Sequence, residues 1–491
     1  MGAPITRRQF VRLGSAGLAA AALGGCRLSG RRRPNFVFIL IDDMGWKDTG
    51  VYGSTFYETP NIDRLAAGGM RFTDAYAACP VCSPTRASIL TGKYPARAGI
   101  TDWIPGLDPK NRPLLGTEDL HAMPLAEVTL AEALDEAGYS TGFFGKWHLG
   151  DEGFLPQDQG FQLNKGGHWA GQPASYFYPY KNERKRWDVP DLEGGKEGEY
   201  LTDRLTDEAI AFMKQHSREP FLAYLSHYAV HTPIQSKAAL TEKYKEKLRS
   251  MPTHDGPDYL PEGPSASKQV QDDPAYAGMV QSVDESVGRV LAALKSLELE
   301  KNTVVIFMSD NGGLSTLPNN WRSPTSNVPL RAGKGWLYEG GIREPMIIKW
   351  PGVTKAGSVC HEPVTSTDFY PTMLQMAGLP PRPRQHVDGL SLVPLLKGGK
   401  TLDREAIFWH YPHYHGSGST PAAAVRAGRY KLIQWFEDDR VELYDLEKDP
   451  GERRDLSREL PEVRERLLAL MRNWREQVGA KLPRVNPDYK K

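Results

Sequence analysis

Asn35 opens an apolar run, Phe36-Val37-Phe38-Ile39-Leu40-Ile41, that is rich in β-branched side chains and stops at Asp42-Asp43. A continuous apolar run of this length, closed by polar residues, predicts a strand buried on both faces, as in parallel sheets. Thr303-Val304-Val305-Ile306-Phe307-Met308 repeats the pattern and ends at Ser309-Asp310-Asn311-Gly312-Gly313. Phe221-Leu222-Ala223-Tyr224-Leu225 repeats it again and ends at Ser226-His227. Helical spacing lies between these runs, over about 125–137 and again at Val283, Val287, Val290, Leu291 and Leu294. Strands alternating with helices predict an α/β fold, a large and mainly parallel sheet flanked by helices. The polar residues follow the strand carboxyl ends, the edge at which open α/β sheets bind ligands.

Past Leu379-Pro380-Pro381-Arg382-Pro383-Arg384, which reads as a linker or exposed loop, the pattern changes. Short candidate strands at 406–410, 430–435 and 441–444, with turns such as Ala427-Gly428 between them, predict a small antiparallel sheet. A charged helix over 461–478 closes the chain, and residues 251–273, rich in Pro, Asp and Gly, read as a loop insertion. The 491 residues suit one large domain with a smaller companion. The expected division is 1–33 as signal and tether, 34–395 as main domain and 396–491 as C-terminal subdomain.

Thr6-Arg7-Arg8-Gln9-Phe10-Val11, followed by the apolar stretch from Leu18 to Leu23, resembles a bacterial twin-arginine export signal. The stretch is shorter than the roughly 20 residues a bilayer span needs. Leu23-Gly24-Gly25-Cys26 resembles a lipoprotein processing site, with Cys26 as the lipid-bearing residue; a simple cleaved signal satisfies the same run. The expectation is a bacterial protein carried by the twin-arginine machinery to the periplasm, or to the outer membrane or cell surface as a lipoprotein. Membrane contact would then come only through a lipid at Cys26. A net charge of +1 argues against nucleic acid as a partner. Four cysteines are too few for a disulfide scaffold, and the sequence leaves open whether Cys79 and Cys360 pair.

The chemistry concentrates in Cys82-Ser83-Pro84-Thr85-Arg86, followed by Ala87-Ser88-Ile89-Leu90-Thr91-Gly92. Pro84 suits the first turn of a helix and Gly92 its stop, which puts Cys82 at an N-terminus that favours anions. Arg86 lies one turn on. With Thr59-Pro60-Asn61-Ile62-Asp63-Arg64-Leu65 before it and Lys93-Tyr94-Pro95 after, this segment resembles the signature of the type I sulfatases of the alkaline phosphatase superfamily. The resemblance runs from Pro34 to Asp455. It implies that a formylglycine-generating enzyme, reading the Cys, Pro and Arg, converts Cys82 to formylglycine.

Asp42, Asp43, Asp310 and Asn311 are hard oxygen ligands on two strand ends and suit Ca²⁺ or Mg²⁺ rather than zinc. The resemblance implies one Ca²⁺, shared with the oxygen of residue 82. It further implies a sulfate pocket built from Arg86, Lys146 and His148 (in Gly145-Lys146-Trp147-His148-Leu149-Gly150), His231 (in His231-Thr232-Pro233) and Lys334 (in Gly333-Lys334-Gly335). In the implied mechanism the hydrated aldehyde attacks sulfur, Lys146, Lys334, Arg86 and the metal stabilise charge, and His231 protonates the leaving alcohol. His148 then deprotonates the second hydroxyl and sulfate is expelled.

Rim candidates are Trp103, His168, Trp169, His227, and His410 and His413 from the run His410-Tyr411-Pro412-His413-Tyr414-His415. The expected substrate is a sulfated glycan of galactose or hexosamine type. The alternatives are a phosphonate or phosphate ester hydrolase of the same superfamily, and a non-catalytic glycan-binding lipoprotein. The last predicts decay of catalytic positions, and none is missing.

Overall fold

The computed structural model describes residues 33–182, 187–318 and 322–490; the signal-like segment and Cys26 lie outside these described residues. Three neighbouring strands carry the runs expected: Thr303–Ser309, Asn35–Ile41 and Phe221–Ser226, all parallel. Ser140–Gly145 and Leu163–Lys165 extend the parallel array on one side. On the other, Arg343–Lys349 runs antiparallel to Thr303–Ser309 and to Met70–Tyr76, so the sheet is mixed though mostly parallel. Ser358–Cys360 pairs with the outer edge of Met70–Tyr76, and Val364–Thr365 extends the same edge.

Alternation along the Asn35 strand explains why the whole run had to be apolar. Phe36, Phe38 and Leu40 pack on one face with Ala87, Ile89 and Leu90 of the Cys82–Thr91 helix and with Phe369 and Met373. Val37, Ile39 and Ile41 pack on the other with Val280, Val283 and Val287 of the Pro274–Ser296 helix. Each fully buried side chain of this kind contributes about 1.5–3 kcal/mol. Asp273 starts the long helix by accepting from the amides of Ala275 and Tyr276. The helix expected over 125–137 is shorter, Leu130–Asp135, because a capping box between Thr129 and Glu132 starts it late.

The expected loop insertion at 251–273 contains a hairpin, Tyr259–Glu262 with Ser265–Lys268, and Thr316–Pro318 adds a third strand to it. The C-terminal sheet is antiparallel, in the order Ile407–Tyr411, Ala422–Ala427, Tyr430–Trp435, Val441–Asp445. Its Ala422–Ala427 strand was not legible, since alanine is a poor strand former. Ala422 and Ala424 lie against Trp409 and Trp435, while Ala423 and Val425 meet Leu467 and Met471 of the Pro461–Val478 helix. Cys79 and Cys360 are both free and buried. No helix among the described residues is long and apolar enough to cross a membrane.

A buried ion cluster joins the C-terminal sheet to the segment after Lys334. Lys431 Nζ lies 3.0 Å from Glu339 and 2.9 Å from Glu452, with all three side chains inaccessible. Tyr76 donates to Glu339 at 2.7 Å. Burial opposes the charge on Glu339, but Lys431 and Arg343 outweigh it and hold the carboxyl below its usual range. Lys431→Met should cost about 3–5 kcal/mol at neutral pH, because buried Glu339 loses a cation it shares with Glu452, whose carboxyl burial already pushes up to about 7. Urea unfolding measures this, and a cost below about 1 kcal/mol would show that the cluster does not hold the sheet.

Candidate active site

Four adjacent parallel strands release the chain at one edge, and the polar residues collect there. Asp42 and Asp43 follow Ile41, Asp310 and Asn311 follow Ser309, and Lys146 follows Gly145. The ladder continues past the strands: the amide of Asp310 donates to Ile41 O at 2.9 Å and that of Lys146 to Ser226 O at 2.7 Å. Gly145 has φ 110°, and a Cβ there would lie 1.9 Å from Ser226 O, so only glycine lets the lysine loop approach its neighbour. Asp43 and His148 take left-handed backbone at φ 60° and 57°. Such conformations cost on the order of 1–3 kcal/mol and cluster where surrounding structure over-determines them.

Three carboxylates meet three cations. Lys146 Nζ contacts both oxygens of Asp42 at 2.8 and 2.9 Å. Lys334 Nζ contacts Asp43 at 2.7 and 2.8 Å. Arg86 reaches Asp310 Oδ2 through Nε at 2.9 Å and Nη2 at 2.7 Å, and its Nη1 donates to Lys146 O and Ser226 Oγ. Burial drives the Asp42 carboxyl well above its usual range, Lys146 opposes this, and Asp310 and Asp43 reinforce it. At Asp43 burial also raises the pKa, but Lys334, His231 and Lys146 prevail and the net shift is downward.

These residues fit a hard cation. Asn311 Nδ2 donates to Asp43 at 2.8 Å, while its Oδ1 is buried without a hydrogen-bond partner. Ligand atoms of Asp42, Asp43 and His231 lie within 4.8 Å of one another. An orphaned amide oxygen beside buried carboxylates is a donor set that suits Ca²⁺ or Mg²⁺.

Cys82 begins a helix with no exposed residue, Cys82–Thr91. Its Sγ lies 3.3 Å from His148 Nδ1. His148 Nε2 donates to Ile104 O at 2.6 Å, which leaves the Nδ1 lone pair facing residue 82. Burial, then Lys146, pushes the His148 imidazole well below its ordinary pKa, so it is neutral. His231 Nδ1 donates to Thr232 O at 2.9 Å and its Nε2 lies 3.6 Å from Asp43.

A cavity of about 610 Å³ opens over Cys82, Asp43, His148, His231 and Lys334. Trp103, Trp169 and Trp187 wall it, and the Trp169 and Trp187 rings pack 5.2 Å apart. Two expected rim residues, Trp103 and Trp169, are therefore on it, and four are not. His227 is wholly buried with Nε2 2.9 Å from Ser286 Oγ on the long helix, and burial lowers it to about 3. His168 sits behind the wall, its carbonyl accepting from the amide of His148 at 3.1 Å. His410 bonds Lys481 O at 2.8 Å and His413 bonds Thr101 Oγ1 at 2.8 Å, both away from the cavity. The residues missed are Trp187, Gln172 and His415. His415 ends the histidine-rich run and was distinguishable only by the turn that follows it.

Residues 34–379 match the family model described as Sulfatase, and residues 332–477 match N-sulphoglucosamine sulphohydrolase, C-terminal. N-acetylgalactosamine-6-sulfatase of Mus musculus is 36% identical over 437 residues, covering 85% of this chain and 75% of that one. A sulfatase of Formosa agariphila is 33% identical, covering 90% and 88%. The crystal structure of Ps i-CgsB in complex with k-i-k-neocarrahexaose superposes with a TM-score of 0.73 at 31% identity, covering 93% and 95%. With a family model matching most of its length and relatives this similar, the chain belongs to the sulfatase family and is a sulfuric ester hydrolase.

Proposed function

We propose that this sulfatase removes sulfate from a sulfated carbohydrate of galactose or hexosamine type, using formylglycine at position 82 and one Ca²⁺. The observation that carries the reading is the placement of Cys82. It lies at the head of a buried helix, on the floor of a cavity, against the unprotonated nitrogen of His148. The substrate class draws on the relatives, one an N-acetylgalactosamine-6-sulfatase and one solved with a neocarrahexaose.

Asp42, Asp43, Asp310 and Asn311 would hold the ion together with residue 82, and the ion would supply Lewis acidity toward the sulfate. Formylglycine, once hydrated, would supply an attacking hydroxyl and a second hydroxyl for release of the sulfate. His148 Nδ1 is placed to take a proton at residue 82. Lys146 and Lys334 add positive charge beside the site where sulfate oxygens gain negative charge. Arg86 is tied to Asp310, Ser226 and the Lys146 carbonyl, so it also orients the lysine loop. His231 is neutral in the free site, because burial and then Lys334 lower its pKa. An anionic sulfate ester beside it raises its proton affinity, and Nε2 then serves as the acid toward the leaving oxygen.

The same reading takes 1–33 as the export segment, 34–395 as the catalytic domain and 396–491 as the subdomain that completes the rim. Cys82 is 2% exposed, so a modifying enzyme must act before the helix packs, hence in the cytoplasm before twin-arginine export. The mature enzyme then works in the periplasm or, if Cys26 is lipidated, at a membrane surface.

Cys82→Ala should lower aryl sulfate turnover at least about a thousand-fold with the fold intact, and His148→Ala should lower it by about 10²–10⁴-fold. Peptide mass spectrometry across residue 82 should find the aldehyde; a thiol in fully active enzyme rules out the mechanism. Removal of Ca²⁺ by a chelator, verified by elemental analysis, should abolish turnover and lower Tm, with Ca²⁺ restoring both. Turnover that survives complete metal removal contradicts the assigned ligand set.

A further inference from the structure

His415 belongs to none of the machinery above, yet it lies in the wall beside Lys334. It sits in a turn after the Ile407–Tyr411 strand, closed by its own amide on Ser419 O at 3.1 Å and by the amide of Gly418 on its carbonyl at 2.9 Å. Gly335, next to Lys334, makes room for the ring: at φ 86° it has no Cβ, and one there would lie 2.0 Å from His415 Nδ1 and 2.6 Å from Ser417 Oγ. The imidazole is thus seated directly on the backbone of the lysine loop.

Its protonation pattern is fixed by hydrogen bonds. The Ser417 amide donates to Nδ1 at 3.1 Å, and Ser417 Oγ lies 2.8 Å from the same nitrogen. A nitrogen that accepts from an amide carries no proton, so the hydrogen of the neutral ring is on Nε2. Burial, then Lys334, lowers the imidazole to about 3, in keeping with a neutral ring. Nε2 has no hydrogen-bond partner among the described residues, while the ring itself is part-exposed to the cavity. The result is a rigid, uncharged N–H donor next to a lysine already committed to Asp43.

We propose that His415 is a specificity residue whose Nε2–H binds a neutral oxygen of the sugar, a hydroxyl or an acetamido carbonyl, next to the carbon that bears the sulfate. This rests on the sulfated-carbohydrate reading. A neutral donor suits a neutral acceptor, since a carboxylate there would call for a cation. Lys334 is placed to meet the sulfate itself, so the adjoining substituent is the part of the sugar within reach of the ring. A small aryl sulfate lacks that substituent and gains nothing from the contact.

The test measures kcat and KM for wild type, H415A and H415Q on 4-nitrophenyl sulfate and on defined galactose and hexosamine monosulfates. It adds the deoxy analogue of the best saccharide, lacking the neighbouring oxygen. H415A should raise KM for the saccharide by about ten- to a hundred-fold, the cost of leaving one buried hydrogen bond unmade, and leave KM for the aryl sulfate within about two-fold of wild type. H415Q, whose side-chain amide can place a donor near the same point, should recover part of that loss. The deoxy analogue should cost wild type the same factor and cost H415A little. Equal losses on both substrates, or a deoxy penalty that persists in H415A, overturn the assignment of His415. Wild-type activity on the aryl sulfate with none on any saccharide instead overturns the carbohydrate reading, and the assignment with it.

Discussion

The structure depends on holding three buried carboxylates side by side, each against a buried cation. Asp42, Asp43 and Asp310 are all inaccessible, at the ends of two adjacent strands. Isolated ionised carboxylates in such surroundings would take up protons. Each has a buried cation as its partner, Lys146, Lys334 or Arg86, and each cation arrives from a different segment. At Asp42 burial, reinforced by Asp310 and Asp43, outweighs Lys146 and leaves the carboxyl above its usual range. The sheet, the lysine loops and the helix that bears Arg86 therefore have to close together. None of the three pairs is tolerable without its partner.

Much of the frame was legible because it follows from burial on two faces. An apolar run without alternation has one place to go in an α/β fold, and the three such runs became adjacent strands ending at one edge. Among the strands that escaped notice, Met70–Tyr76, Ser140–Gly145 and Ala422–Ala427 hold polar, glycine or alanine positions whose fate is set by neighbours rather than by pattern. The antiparallel run of Arg343–Lys349 through the sheet was equally beyond periodicity, which carries no information on direction.

At the site the divide is similar. Residue types and strand ends pointed to Asp42, Asp43, Asp310 and Asn311, and the resemblance of the Cys82–Arg86 segment to the family signature pointed to Cys82, while the pairing of each lysine with its own aspartate depends on register and loop path. The histidines show why the rim was harder. His227 and His231 lie four residues apart, yet one faces Ser286 in the core and the other faces Asp43 at the cavity. His410, His413 and His415 share one short run, and only the last turns toward the cavity, because Ser417 and the space over Gly335 hold it there. An imidazole serves equally well as packing, as a backbone anchor or as a ligand group, so its type alone does not separate these uses.

The alanine strand shows what small side chains do inside a sheet. Ala422 and Ala424 share one packed layer with Trp336, Trp409 and Trp435. A larger side chain at either position would have to displace an indole ring or bend the strand, because a filled core has little room for added methylenes. A residue poorly suited to a strand by propensity is thus the one whose size lets three tryptophans share a single layer.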